Sequence, residues 1–128
     1  MVAGDLAVAD LPVAWRDGMR ALLDIAVPDD KDGCMQDIHW YGGDFGYFPT
    51  YTLGALSAAQ LFRAACDADA AVMAGIGTGD FMPLLAWLRT HVHGKGSLLG
   101  TNDLLIEATG APLGASGFKS HVERRYLS

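Results

Sequence analysis

Nowhere in this chain do apolar and polar residues alternate over the length of a strand. Where apolar residues recur regularly, they recur at three and four. Leu11, Trp15, Met19, Leu22 and Leu23 form the first such series, opened by Asp10-Leu11-Pro12, an acid followed by Pro in the first turn, and ended before Pro28. A second series starts at about Pro49, carries Leu53, Leu56, Ala59, Gln60 and Phe62, and continues through an Ala-rich stretch to about Ala74. Gly75-Ile76-Gly77-Thr78-Gly79 reads as a break. A third helix begins near Asp80, carries Met82, Leu85, Leu88 and Val92, and stops at Gly94. Thr101, read as a capping residue, opens a short fourth helix that closes at Gly110, and an amphipathic piece runs from about Ser116 to Tyr126. The pattern predicts an all-α fold of about four to six helices, with a core drawn from Trp15, Leu22, Leu53, Leu56, Phe62, Leu85, Leu88, Leu104 and Leu105.

A chain of 128 residues is read as a single helical domain, 1–128. Hydrophobic content of 51% against 19% charged residues is that of a folded globular chain rather than a disordered one. The net charge of -6 leaves no basic face for phosphates, which excludes nucleic acid as a partner, and three lysines are too few for a polybasic membrane anchor. The uncharged run from Phe45 to Phe62 has the length of a membrane span. Gly46, Pro49, Gly54, Ser57 and Gln60 interrupt it, and a turn followed by a buried helix is the better reading. The N-terminus lacks a basic region, and Asp5 and Asp10 break its apolar run, so it does not read as a signal peptide. Cys34 and Cys66 are too few for a disulfide framework and read as reduced, small apolar residues. These features together point to the cytoplasm.

Three metal or nucleotide motifs are approached and missed. None of the four histidines is followed by Glu: the pairs are His39-Trp40, His91-Val92, His93-Gly94 and His121-Val122. His91 and His93, two apart, face different sides of a helix and read as a polar helix end. Asp29-Asp30-Lys31-Asp32-Gly33 would put Pro28 and His39 at calcium-ligand positions that require carboxylates. Gly75-x-Gly77-x-Gly79 has neither the spacing nor the preceding strand of a dinucleotide fingerprint.

The densest site chemistry lies in Gly33-Cys-Met-Gln36-Asp37-Ile-His39-Trp40, followed by Tyr41-Gly-Gly-Asp-Phe-Gly46-Tyr47-Phe48-Pro49-Thr50-Tyr51-Thr-Leu-Gly54. From the residues alone two readings stand. In one the segment is a buried structural loop, with Trp40, Tyr41, Phe45 and Phe48 as core anchors and Gln36, Asp37 and His39 satisfying backbone groups. In the other it is a binding or catalytic site. The segment resembles the C-terminal signature of the carboxypeptidase Taq (thermostable carboxypeptidase) family of zinc metallocarboxypeptidases, in its Gly-x-x-Gln-Asp-x-His-Trp and its Gly-Tyr-Phe-Pro-Thr-Tyr-Thr-Leu-Gly run. Asp10-Leu-Pro-x-Ala-Trp15 upstream, and Gly79-Asp-Phe-x-Pro-Leu-Leu-x-Trp87-Leu and Leu104-Leu-x-x-Ala-Thr-Gly-x-Pro-Leu113 downstream, are similar to the same family. Its members are several times longer, so the chain resembles their last quarter.

The resemblance implies an all-helical, usually homodimeric, cytoplasmic enzyme that removes residues from peptide C-termini with zinc. It assigns Tyr47 as hydrogen-bond donor to the oxyanion or the terminal carboxylate, with Tyr51 second. His39 would bond substrate or oxyanion, Asp37 would orient His39, and Gln36 and Trp40 would shape the pocket wall. The family's zinc helix, His-Glu-x-x-His, is absent here, so no metal ligand and no cofactor are assigned to this chain, and alone it is expected to be inactive. The implied function is a piece of a metallocarboxypeptidase. The alternative is a non-catalytic helical module that self-associates or pairs with a full-length relative, with Phe45, Tyr47, Phe48 and Tyr51 as the exposed apolar surface.

Overall fold

The computed structural model describes residues 1 and 3–127, and the side chain of Trp40 lies outside that description. The described residues are helical with no strand, as the spacing requires. Among the described residues six helices have seven residues or more: α1 (Leu11–Leu23), α3 (Pro49–Ala68), α4 (Ala70–Thr78), α5 (Met82–His91), α6 (Thr101–Thr109) and α7 (Ser116–Val122). A single turn, α2 (Ile38–Gly42), lies between the first two. No described helix is long and apolar enough to cross a membrane. The chain forms two compact units, Met1–Tyr47 and Phe48–Ser128.

In the first unit, α1 ends where Asp24 takes a left-handed conformation (φ 54°) and its N–H returns to the Arg20 carbonyl. The following loop folds back on the middle of α1. Arg16 Nη1 donates to Asp30 Oδ1 at 2.6 Å, and Gly33 slides between Trp15, Val27 and the Asp29 carbonyl. A Cβ at Gly33 would sit 2.8 Å from Val27 Cγ1 and 2.9 Å from Asp29 O, so the position admits no side chain. Leu22, expected in the core, is 83% exposed, because the loop covers α1 at Trp15 and Arg16 and leaves its last turn uncovered.

In the second unit, α3 is the spine against which α4, α5, α6 and α7 pack. The helix expected to run from Pro49 to Ala74 is broken at Asp69, whose extended backbone ends α3 and whose carboxylate accepts from Ala71 N–H at 2.8 Å to start α4. The Gly75–Gly79 segment, expected as a break, is helical as far as Thr78. Its ending falls to Gly79 alone, at φ 82°. Buried Gly75 lets the Asp80 carbonyl pass where a Cβ would stand. Helix α6 ends at Gly110 as expected, but Gly100 rather than Thr101 holds its N-cap position. Lys95 pairs with Glu107 across the connection between α5 and α6.

The buried residues of this unit are mostly small: Ala65, Val72, Gly75 and Gly117 alongside Leu105. Close crossings select them. A Cβ on Gly117 would lie 3.5 Å from the backbone of Gln60 and from the Ala59 carbonyl, so α7 rides almost directly on α3. Of the expected core, Leu105 is buried and Leu56, Phe62, Leu85, Leu88 and Leu104 are half-buried, as is Trp15 in the first unit. Leu53 is 48% exposed, since residues 49–55 of α3 are exposed on every side.

Candidate functional site

The first unit assembles the chemistry of the signature. After Gly33, a turn of 3-10 helix (Cys34–Gln36) buries Cys34 and delivers Asp37 to the start of α2. Asp37 Oδ1 accepts the His39 backbone N–H at 2.9 Å, and the same oxygen lies 2.7 Å from His39 Nδ1. The Asp37 side chain is 6% exposed and His39 22%. A buried carboxylate is stable only when its oxygens are hydrogen-bonded, and both of these donors are local.

The chain then returns on itself. Gly43 and Gly46 adopt φ of 81° and 78°, conformations open to glycine at little cost. Asp44 N–H donates to the His39 carbonyl at 2.9 Å, and Tyr47 N–H to the Asp44 carbonyl at 3.2 Å. This closure lays the Tyr47 ring on the His39 imidazole, with centroids 5.3 Å apart and planes 22° from parallel. Tyr47 remains 47% exposed. A carboxylate, an imidazole and a phenol thus stand in one file from the interior to the surface, the outermost an uncharged hydrogen-bond donor.

Of the residues singled out in the sequence, Asp37, His39 and Tyr47 come together here. Gln36 is adjacent, but its Nε2 donates to the Lys31 carbonyl at 2.7 Å and so ties down the turn. The side chain of Trp40 lies outside the described residues. Tyr51 belongs to the second unit, where its ring meets Phe48 at 5.7 Å near the start of α3. Tyr41, Phe45 and Phe48 are exposed, which overturns the reading of them as core anchors. His91 closes α5 with its ring 4.6 Å from that of Trp87, in keeping with a helix-end role. Among the described residues no group of three or more His, Cys, Asp or Glu is arranged to hold a metal ion.

Two features of the second unit escaped the sequence. Gln60 anchors the segment between α6 and α7: its Nε2 lies 2.8 Å from Thr109 Oγ1, 3.0 Å from the Ala111 carbonyl and 3.1 Å from that of Pro112. Its Oε1 accepts from Gly114 N–H at 3.0 Å. A cavity of about 170 Å³ opens beside this cluster, lined also by Arg63, Asp67 and Ser116. The one sequence signal was an amide set between Ala59 and Leu61 in an apolar helical run. A second cavity of about 160 Å³ is lined by Phe62, Cys66, Met73 and His121. Burial pushes the Cys66 thiol up from 9.0, the Asp67 carboxylate adds to the rise, and the Arg124 guanidinium opposes it. A raised thiol carries less thiolate at neutral pH than a free cysteine.

An all-helical chain carrying this signature falls in the metallopeptidase class. Residues 1–126 match the family described as Carboxypeptidase Taq (M32) metallopeptidase, and the chain belongs to that family. It is 43% identical over 125 residues to thermostable carboxypeptidase 1 of Thermus thermophilus, covering 98% of this chain and 24% of that protein. With thermostable carboxypeptidase 1 of Pyrococcus furiosus it shares 38% identity over 127 residues, 99% of this chain and 26% of the relative. The solved Trypanosoma cruzi metallocarboxypeptidase 1 superimposes with a TM-score of 0.93 at 39% identity, over 98% of this chain and 27% of that one. The chain spans about a quarter of the length of the curated relatives it matches.

Proposed function

We propose that this chain is the C-terminal, substrate-contacting quarter of a zinc metallocarboxypeptidase, in which Tyr47 and His39 face the C-terminal end of a peptide. The observation that carries the reading is the Asp37–His39–Tyr47 file, built from the family signature and ending in a half-exposed phenol. Such a hydroxyl donates a hydrogen bond to a carboxylate, or to the oxyanion of a carbonyl under attack, without adding charge of its own. His39 offers a second polar contact beside it, Trp40 is proposed for the pocket wall, and Tyr51, in the second unit, is proposed as a further donor to substrate. Gln36, already bonded to Lys31, supports the site from below.

The residues of this chain do not fit the family's zinc. Its sequence has no His-Glu-x-x-His, and its described residues hold no ligand cluster. In this reading a zinc-bearing portion outside these 128 residues supplies the metal, and the chain alone is expected to show no turnover. What supports that partnership is the start of α3. Residues 49–55 are uncharged and exposed on every side, the composition of an enclosed helix rather than a solvated one. Free Cys34 and Cys66 suit a reducing compartment, and the cytoplasm is proposed as its location. A self-associating, non-catalytic module is the second reading, favoured by the exposed Phe45, Tyr47, Phe48 and Tyr51.

The test is to co-express the chain with the complementary three quarters of the Thermus thermophilus relative and assay release of C-terminal amino acids from peptides. A complex that turns over and loses on the order of a hundredfold in kcat with Tyr47→Phe is expected. Peptidase activity of the chain alone, or a complex indifferent to Tyr47→Phe, overturns the assignment. A self-associated chain that ignores the zinc-bearing portion in sedimentation supports the second reading instead.

A further inference from the structure

Among the described residues, one oxygen of Asp37 takes two donors, the His39 backbone N–H at 2.9 Å and the His39 ring at Nδ1, 2.7 Å away. A carboxylate oxygen that accepts from the ring requires the proton on Nδ1 and leaves Nε2 as the accepting nitrogen of the neutral imidazole. The backbone bond fixes where that oxygen stands, so the ring is held in both tautomer and plane. The Tyr47 ring lies on that plane, 5.3 Å away and 22° from parallel. The carboxylate is 6% exposed, so water does not compete freely for it.

From this geometry we infer that Asp37 is a positioning residue for Tyr47: by holding His39 as the Nδ1–H tautomer, it sets the surface against which the phenol is laid. The inference deepens the peptidase reading, on which the catalytic importance of Tyr47 rests. It also carries a consequence for substitution. In the Ser-His-Asp protease triad, the Asn replacement of the Asp supports the wrong tautomer. Here the oxygen that meets the ring is also pinned by a backbone N–H. An Asn side chain keeps its Oδ1 on that N–H, with its amide nitrogen turned away, and still accepts from Nδ1–H. Asp37→Ser retains a cap for the start of α2 but is too short to span from that N–H to the ring. Nucleation of α2 is thereby separated from positioning of the ring.

The experiment is long-range proton–nitrogen correlation NMR of the His39 imidazole in the full chain, at about pH 9, above the ordinary imidazole range. Cross-relaxation between the His39 and Tyr47 rings is read in the same samples. Wild type and Asp37→Asn are expected to show the Nδ1–H pattern and strong ring-to-ring transfer. Asp37→Ser, with helicity unchanged by circular dichroism, is expected to shift toward Nε2–H and lose most of that transfer. An Nε2–H pattern in wild type or in Asp37→Asn overturns the inference, and so does an Asp37→Ser chain that keeps both signatures. If the NMR results hold while the reconstituted enzyme is indifferent to Tyr47→Phe, the positioning stands and the peptidase reading falls.

Discussion

Replacing Gln60 by Leu removes the amide that joins α3 to the connection between α6 and α7, while leaving the volume of the side chain nearly unchanged. Nε2 has two protons and three acceptors within 3.1 Å, so it satisfies two at a time, and Oε1 accepts one N–H. Three bonds at about 1 kcal/mol net each set an upper figure of roughly 3 kcal/mol. The carbonyls of Ala111 and Pro112 are exposed, and water takes over their share when the amide is lost. The Thr109 hydroxyl keeps its bond to the Leu105 carbonyl at 2.8 Å, whereas the part-buried Gly114 N–H is less readily re-satisfied. The expected loss is therefore about 2 kcal/mol, measured as the shift in a urea unfolding curve followed by helical circular dichroism, with the slope unchanged. Gln60→Glu sharpens the test. It keeps an acceptor for Gly114 but turns a carboxylate toward two carbonyls, so it should destabilise at neutral pH and recover on acidification as the carboxyl gains a proton to donate. A loss below about 0.5 kcal/mol for Gln60→Leu would refute the view that this amide holds the connection in place.

Further outcomes are expected at Gly75, Gly77 and Cys66. Gly75→Ala drives a methyl into the Asp80 carbonyl and should cost about 3 kcal/mol or more, whereas Gly77→Ala, in the same helix with open space around it, should gain up to about 1 kcal/mol; paired unfolding curves check both. Because the Cys66 thiol is pushed up from 9.0, chiefly by burial, its alkylation at about pH 8 should be slower than that of a free cysteine, by iodoacetamide labelling and mass spectrometry. The sign of the linked stability follows. A raised thiol stabilises the fold fully below 9.0, and that contribution is lost as pH climbs through the raised value, so Cys66→Ser should flatten the alkaline limb of the stability profile.

The spacing of apolar residues determined that the described residues are helical, and the glycine at 110 marked one helix end, because helix period and left-handed caps are local properties of the backbone. The signature likewise pointed to Asp37, His39 and Tyr47, and an Asp two residues before a His lies within reach of its ring by local geometry alone. Local sequence does not say which face of a helix is crossed. Leu22 and Leu53 have the periodicity of core residues and stand exposed, while Gly75 and Gly117 are buried where backbones meet. Nor does it say that eight residues after His39, two left-handed glycines bring Tyr47 back onto the imidazole. The anchoring role of Gln60 depends on partners some fifty positions away. Side-chain type fixes what a residue can bond. Which partner it meets is decided by chain crossings distant in sequence, and those exist only in the folded structure.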